Sequence, residues 1–127
     1  MRFHINLSYN ILAQNQIDID KIPKFFQGMA MIVHIVMFKF KDENKALNMA
    51  RVQKKLMKLE TKIDCLKTME VGINFNESER AMDLSLYSTF ESEADLKEYA
   101  KHEEHLKVVE LIKEVTLESK VVDYILE

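Results

Sequence analysis

The stretch MIVHIVMFKFK, Met31 to Lys41, decides the fold. It is rich in β-branched and aromatic residues, which favour a pleated strand. Alternation places His34, Val36, Phe38 and Phe40 on one face and Val33, Ile35 and Met37 on the other. A strand in a sheet that is solvated on one side alternates polar with apolar residues. This one is apolar on both faces, so helices on one side leave the other side needing its own cover. Burying Val33, Ile35 and Met37 contributes about 1.5–3 kcal/mol each relative to exposure, which favours packing a second copy of the sheet there. These three residues are the predicted dimer interface. The alternative is a central strand shielded by its neighbours' side chains or by the N-terminal segment.

Downstream, Ala46, Met49, Val52, Leu56, Leu59 and Ile63 recur at three- and four-residue steps, an apolar helical stripe that needs a sheet to lie on, with Asp42 as the expected cap. LKTMEVGINF then alternates, with Met69, Val71, Ile73 and Phe75 on one face. The polar NESERAMD reads as a hairpin connection, and LSLYSTF as a third strand with Leu84, Leu86, Ser88 and Phe90 on one face. Ser92, with Asp95 three residues on, caps a second helix. A further helical piece is expected from about Leu106 to Leu117, and KVVDYILE closes the chain as a strand. The order β-α-β-β-α-β predicts an α+β fold: a ferredoxin-like four-stranded antiparallel sheet with helices on one face.

Residues 1–30 differ in character. They hold the only proline, Pro23, and no sustained period; Arg2, Lys21 and Lys24 against Asp18 and Asp20 give +1, leaving −4 of the net −3 to the rest. The domain is expected to be 31–127, with 1–30 a loosely held N-terminal extension. Gln27-Gly28 is encodable as CAAGGA, a ribosome-binding sequence suitably placed for a start at Met31, so a mis-assigned start is one reading. An arm that packs on the surface or on a partner is the other.

At 127 residues with 47% apolar and 31% charged residues, the chain fits one folded domain. A net charge of −3 and no cluster of basic residues among aromatics argue against nucleic acid as a partner. The single cysteine, Cys65, lacks metal-ligand spacing and fits a reducing compartment, read here as the cytoplasm. No apolar run reaches the roughly 18 residues of a membrane span, so no membrane partner is expected.

The segment EYAKHEEHLKVVE, Glu98 to Glu110, is where chemistry would lie. His102 and His105 are spaced i, i+3, whereas zinc proteases need i, i+4 with the glutamate between. No third ligand is apparent, so neither a metal nor a cofactor is expected. Imidazole titrates near neutrality and serves as acid or base, and a phenol donates to a developing oxyanion. Tyr99 and His105 would share a cleft if the helix breaks between them, with His34 and Asp123 near them on the sheet and His102 exposed. The plainer reading is a hydrogen-bonded core histidine and a packed tyrosine ring.

HIVMFKFKD, LKTMEVGINFNESERAMDLSLYSTFES, YAKHEEHLKVVELIK and VVDY together resemble the stress-responsive A/B barrel family, or Dabb domains, over nearly all of 31–127. The resemblance implies a homodimer whose two sheets form a dimeric α/β barrel, with a small-molecule cleft between each sheet and its helices. A plant polyketide cyclase of this family closes a ring by aldol condensation with a tyrosine and a histidine, which match Tyr99 and His105. His34 matches the family's first-strand histidine and Asp123 its acidic residue on the last strand. Val36, Phe38, Leu84 and Leu86, with Asp123, are then the expected substrate-binding wall. A further cyclase histidine falls at Leu84, which thins the polar lining. Two functions follow as expectations. One is a dimeric barrel that binds a small apolar or carbonyl-containing molecule. The other is a cofactor-independent enzyme in which His105 takes a proton alpha to a carbonyl, Tyr99 steadies the oxygen and His34 tunes polarity. A cofactor-free oxygenase is a third option for which no motif argues.

Overall fold

The computed structural model describes residues 31–127, so both readings of residues 1–30 lie outside the described residues. The elements in order are β1 (Met31–Phe40), α1 (Lys45–Lys62), β2 (Thr68–Ile73), β3 (Leu84–Phe90), α2 (Glu93–Lys101), α3 (Glu103–Val115) and β4 (Thr116–Leu126). The strands form one antiparallel sheet in the order β2-β3-β1-β4. This is the expected α+β, ferredoxin-like arrangement, with the second helical layer in two pieces.

The central position of β1 explains its composition, because it is paired with β3 on one side and β4 on the other. Register sets Phe38 beside Leu84, Val36 beside Leu86 and Ile32 beside Phe90 on the helix-facing side. These side chains, with Met69 and Val71 of β2, meet Met49, Val52, Leu56 and Leu59 of α1 and Val108 and Val115 of α3 in one core. Gln53 ties α1 to the sheet by donating to the Val71 carbonyl at 2.9 Å.

Several local expectations are corrected. Asp42 does not cap α1: the cap position is Asn44, in the left-handed region at φ 52, with no side-chain cap bond, while Asp42 reaches Lys45 at 3.5 Å. Asparagine is among the residues that best tolerate this backbone conformation. Ala46, in the first turn, is exposed rather than part of the buried stripe. Phe75 is 97% exposed because β2 ends at Ile73, where the Asn74 side chain accepts from the Asn76 amide at 2.9 Å and turns the chain out of the sheet. β4 begins at Thr116, four residues before the expected Lys120. The Thr116 amide and hydroxyl both bond the Ile112 carbonyl, which stops α3 at Val115. Ser92 caps α2 as expected, accepting from the Asp95 amide at 3.1 Å.

On the face away from the helices, Val33 is fully buried within the chain, flanked in register by Thr89 and Tyr124. Met37 is 41% exposed, and Val122 and Tyr124 add exposed apolar surface on the same face. The demand for further cover therefore rests on Met37, Val122, Tyr124 and the half-buried Ile35, and not on Val33.

Asp83, read from sequence only as part of a polar connection, fastens the sheet's end. Its carboxylate accepts from the Phe40 amide at 2.7 Å and lies 3.7 Å from Lys45, while its own amide donates to the Phe38 carbonyl at 2.8 Å. Asp83→Ala strands the Phe40 amide, so urea unfolding should show a loss of about 1–3 kcal/mol.

Candidate functional site

One row across the helix-facing side of the sheet runs Met69, Ser88, His34, Asp123. His34 Nδ1 is hydrogen-bonded to the Asp123 carboxylate, and the buried Ser88 hydroxyl donates to the His34 carbonyl at 3.0 Å. An ionised carboxylate only accepts, so Nδ1 carries the proton and Nε2 is the nitrogen left for other work. The pair sits where helical cover ends: His34 is largely buried, while Asp123 on β4 is 48% exposed.

The second part of the site arises from a break in the helical layer. α2 ends at His102, whose extended backbone redirects the chain and whose Nδ1 accepts from the Glu104 amide at 3.1 Å, capping α3. His102 is thus a partly buried cap rather than an exposed side chain. The break brings the Tyr99 and His105 rings to a centroid separation of 4.3 Å. Tyr99 also lies 5.0 Å from the Phe90 ring and 6.4 Å from the His34 ring.

Burial sets the protonation of both groups. The Tyr99 phenol is pushed far above its usual range, chiefly by desolvation and further by the nearby Cys65 thiol, so it stays neutral. Its hydroxyl is buried without a hydrogen-bond partner among the described residues. The His105 imidazole is pushed below its ordinary 6.5, chiefly by burial, with His34 and His102 adding to the effect and a bond to the Ala100 carbonyl opposing it. That 3.2 Å bond is donated by Nδ1–H, which leaves Nε2 of the neutral ring as an acceptor. A neutral phenol and a neutral imidazole with one free nitrogen can together donate to an oxygen and accept a proton.

An open cleft of ≈ 810 Å³ lies between α2 and the ends of β1 and β4, with Ile32, Leu96, Ala100 and Ile125 as apolar wall and Glu93, Lys97, Asp123 and Glu127 as charged wall. Asp123 therefore belongs to both the cleft and the histidine pair. The structure does not bring the other expected binding residues here: Phe38, Leu84 and Leu86 are core side chains, and Val36 packs against that core. The Tyr99 and His105 rings pack beside the cleft rather than lining it. Sequence reasoning missed Leu96, Ala100 and Ile125. The small Ala100 directly after the buried Tyr99 was the available signal, since it marks an α2 position with room beside it. No group of metal-binding side chains is found among the described residues, and no described helix is long and apolar enough to cross a membrane.

The family model for the Stress responsive A/B Barrel Domain matches residues 32–126. A solved structure of a dimeric protein of unknown function with a ferredoxin-like fold, from Bacteroides fragilis, is 35% identical, with 74% of this chain and 94% of that chain covered and a TM-score of 0.69. A Dabb family protein from Mesorhizobium loti is 20% identical over 75% of this chain and 96% of its own, with a TM-score of 0.65. The hydroxynitrile lyase of Passiflora edulis is 19% identical over 76% of this chain and 94% of its own, with a TM-score of 0.69. Among curated proteins no match was found.

The depressed His105 value fixes the sign of a pH effect. The unfolded chain takes up this proton more readily than the folded one, so stability present above pH 6.5 is lost as pH falls through it. Thermal unfolding should show a lower Tm at pH 5.5 than at pH 7.5, and His105→Gln should flatten that dependence.

Proposed function

This chain belongs to the stress responsive A/B barrel domain family, and on that premise we propose that it acts as a homodimer that binds a small, partly apolar molecule bearing a carbonyl or hydroxyl group between sheet and helices. The observation that carries this reading is the ≈ 810 Å³ cleft whose wall includes Asp123, the partner of His34. Its size is within the range of small-molecule sites, and its wall mixes apolar side chains with the charged Glu93, Lys97, Asp123 and Glu127. The apolar wall would hold a hydrocarbon or ring, while Asp123 accepts from a hydroxyl and Lys97 attracts an electronegative oxygen.

Dimerisation is supported by the uncovered apolar groups on the outer face, Met37, Val122 and Tyr124, and by the dimeric Bacteroides relative. Covering one such side chain contributes about 1.5–3 kcal/mol. Light scattering at micromolar concentration should give twice the 15.0 kDa chain mass. Val122→Glu, which places a charge in the middle of that face, should return the mass towards one chain.

A second reading, a cofactor-independent proton-transfer enzyme, is favoured by one specific observation. Tyr99 keeps a buried hydroxyl with no described partner beside the neutral His105. In that reading His105 Nε2 takes a proton alpha to a carbonyl and Tyr99 donates to the developing oxygen, once a substrate parts their rings. The Passiflora lyase speaks only to the fold at its level of identity.

A thermal-shift screen of small ketones, phenols and hydroxy acids tests the binding reading. Ala100 is exposed on the cleft wall, so Ala100→Trp fills the space with little cost to folding. Compounds that raise the wild-type Tm should lose that effect in Ala100→Trp, and equal stabilisation of both proteins would reject this cleft. NMR of the same mixtures reports hydrogen exchange alpha to the carbonyl, which the enzyme reading requires and which His105→Ala should abolish.

A further inference from the structure

A second cavity, of ≈ 160 Å³, lies between α1 and α3, apart from the cleft above. Lys55, Lys58 and Lys62 of α1 and Lys107 of α3 line it, over a floor of Leu59 and Val108. The α1 lysines are spaced i, i+3, i+7, which puts them on one helical face, and the packing of α3 beside them adds the fourth. The one acidic residue on the lining is Glu104, so four cations and one anion leave a local charge of 4 − 1 = +3 in a chain whose net charge is −3.

Glu104 shows what the lysines can do. Its carboxylate lies 3.2 Å from Lys107 and 3.8 Å from Lys62, so ammonium groups from two helices already converge on one anion. Those charges hold the Glu104 carboxyl below its usual range. Lys55 and Lys58, on the same wall, have no ion pair among the described residues. Like charges at this spacing repel along a helix and are relieved by a shared counter-ion. A single phosphate would only trade places with Glu104, whereas an ion with several linked anionic groups can engage Lys55 and Lys58 while Glu104 keeps or yields its partners.

From this geometry we infer that the α1–α3 cavity binds a compact polyanion of the oligophosphate class, with Lys55, Lys58, Lys62 and Lys107 as its ligands and Glu104 as the resident anion it competes with. The affinity is electrostatic and falls with salt, because surface ammonium groups act through a screened field.

Isothermal titration of the full chain with inorganic triphosphate at constant ionic strength tests this, with orthophosphate and ATP as comparison ligands. Triphosphate should bind, and orthophosphate should bind at least about tenfold more weakly. Lys55→Gln with Lys58→Gln, both exposed, should weaken triphosphate by about tenfold or more. Glu104→Gln should tighten it, while Glu114→Gln, which removes the same charge from an exposed position of α3 that pairs with none of these lysines, should leave it nearly unchanged. ATP binding like triphosphate places recognition in the phosphates alone, and ATP binding tighter extends the ligand to nucleotides; both support the site. The inference is overturned by no triphosphate binding at millimolar concentration, by equal orthophosphate affinity, by an unchanged lysine double variant, or by equal effects at Glu114 and Glu104.

Discussion

The helical layer is narrower than the sheet it covers, and most of the functional anatomy follows from that mismatch. α1 and α3 bury the inner faces of β2, β3 and most of β1, but β4 remains open on both sides: Val121 is 62% exposed and Ile125 45%, although both share a face with core residues of β1. The boundary between covered and uncovered sheet falls between His34 and Asp123, which are neighbours in register. A histidine on a covered strand would be a plain core residue, and an aspartate on a solvated edge would be plain surface. At the boundary they meet, and the edge of α2 stands off far enough to leave a cleft there.

The break at His102 does comparable work within the helices. On one continuous helix Tyr99 and His105, six residues apart, would project roughly 120° apart around the axis and well over a turn apart along it, and could not touch. The extended His102 backbone resets the direction of the chain, and its imidazole satisfies an amide that the new helix would leave unpaired. One residue thus ends α2, starts α3 and brings the His105 ring onto Tyr99, which in turn packs beside Phe90 and His34.

Much of this was legible from residue patterns, and the failures share a cause. β1, β3, the Ser92 cap and the element order show in local chemistry, because β-branched runs and a capping serine act over a few residues. The pairing of Tyr99 with His105 could be stated only as conditional on a helix break. The His34–Asp123 contact was expected from the strand order, since both residues fall on the same face. What stayed hidden depends on distant parts of the chain. Asp83 matters because the Phe40 amide lies opposite it, and no pattern in its own segment says so. The cleft wall at Leu96, Ala100 and Ile125 depends on where α2 stops covering the sheet, which is a matter of layer widths rather than of periodicity. Phe38, Leu84 and Leu86 misled for the opposite reason: they do face the helices, but the helices press on them and fill the space.

The arrangement keeps the ring stack and the open cleft apart. The ring stack is tightly packed and largely dry, which keeps His105 neutral and leaves the Tyr99 hydroxyl without a described partner. A buried hydroxyl left without a bond costs about 1–3 kcal/mol. A phenylalanine would fill the same space without that cost, so packing alone does not account for the hydroxyl. The cleft, by contrast, is open, and the charged side chains on its wall are Glu93, Lys97, Asp123 and Glu127. The residues that wall the cleft are therefore distinct from those of the ring stack. Membership of the family fixes the scaffold, and a reaction has to be argued from the residues placed on it.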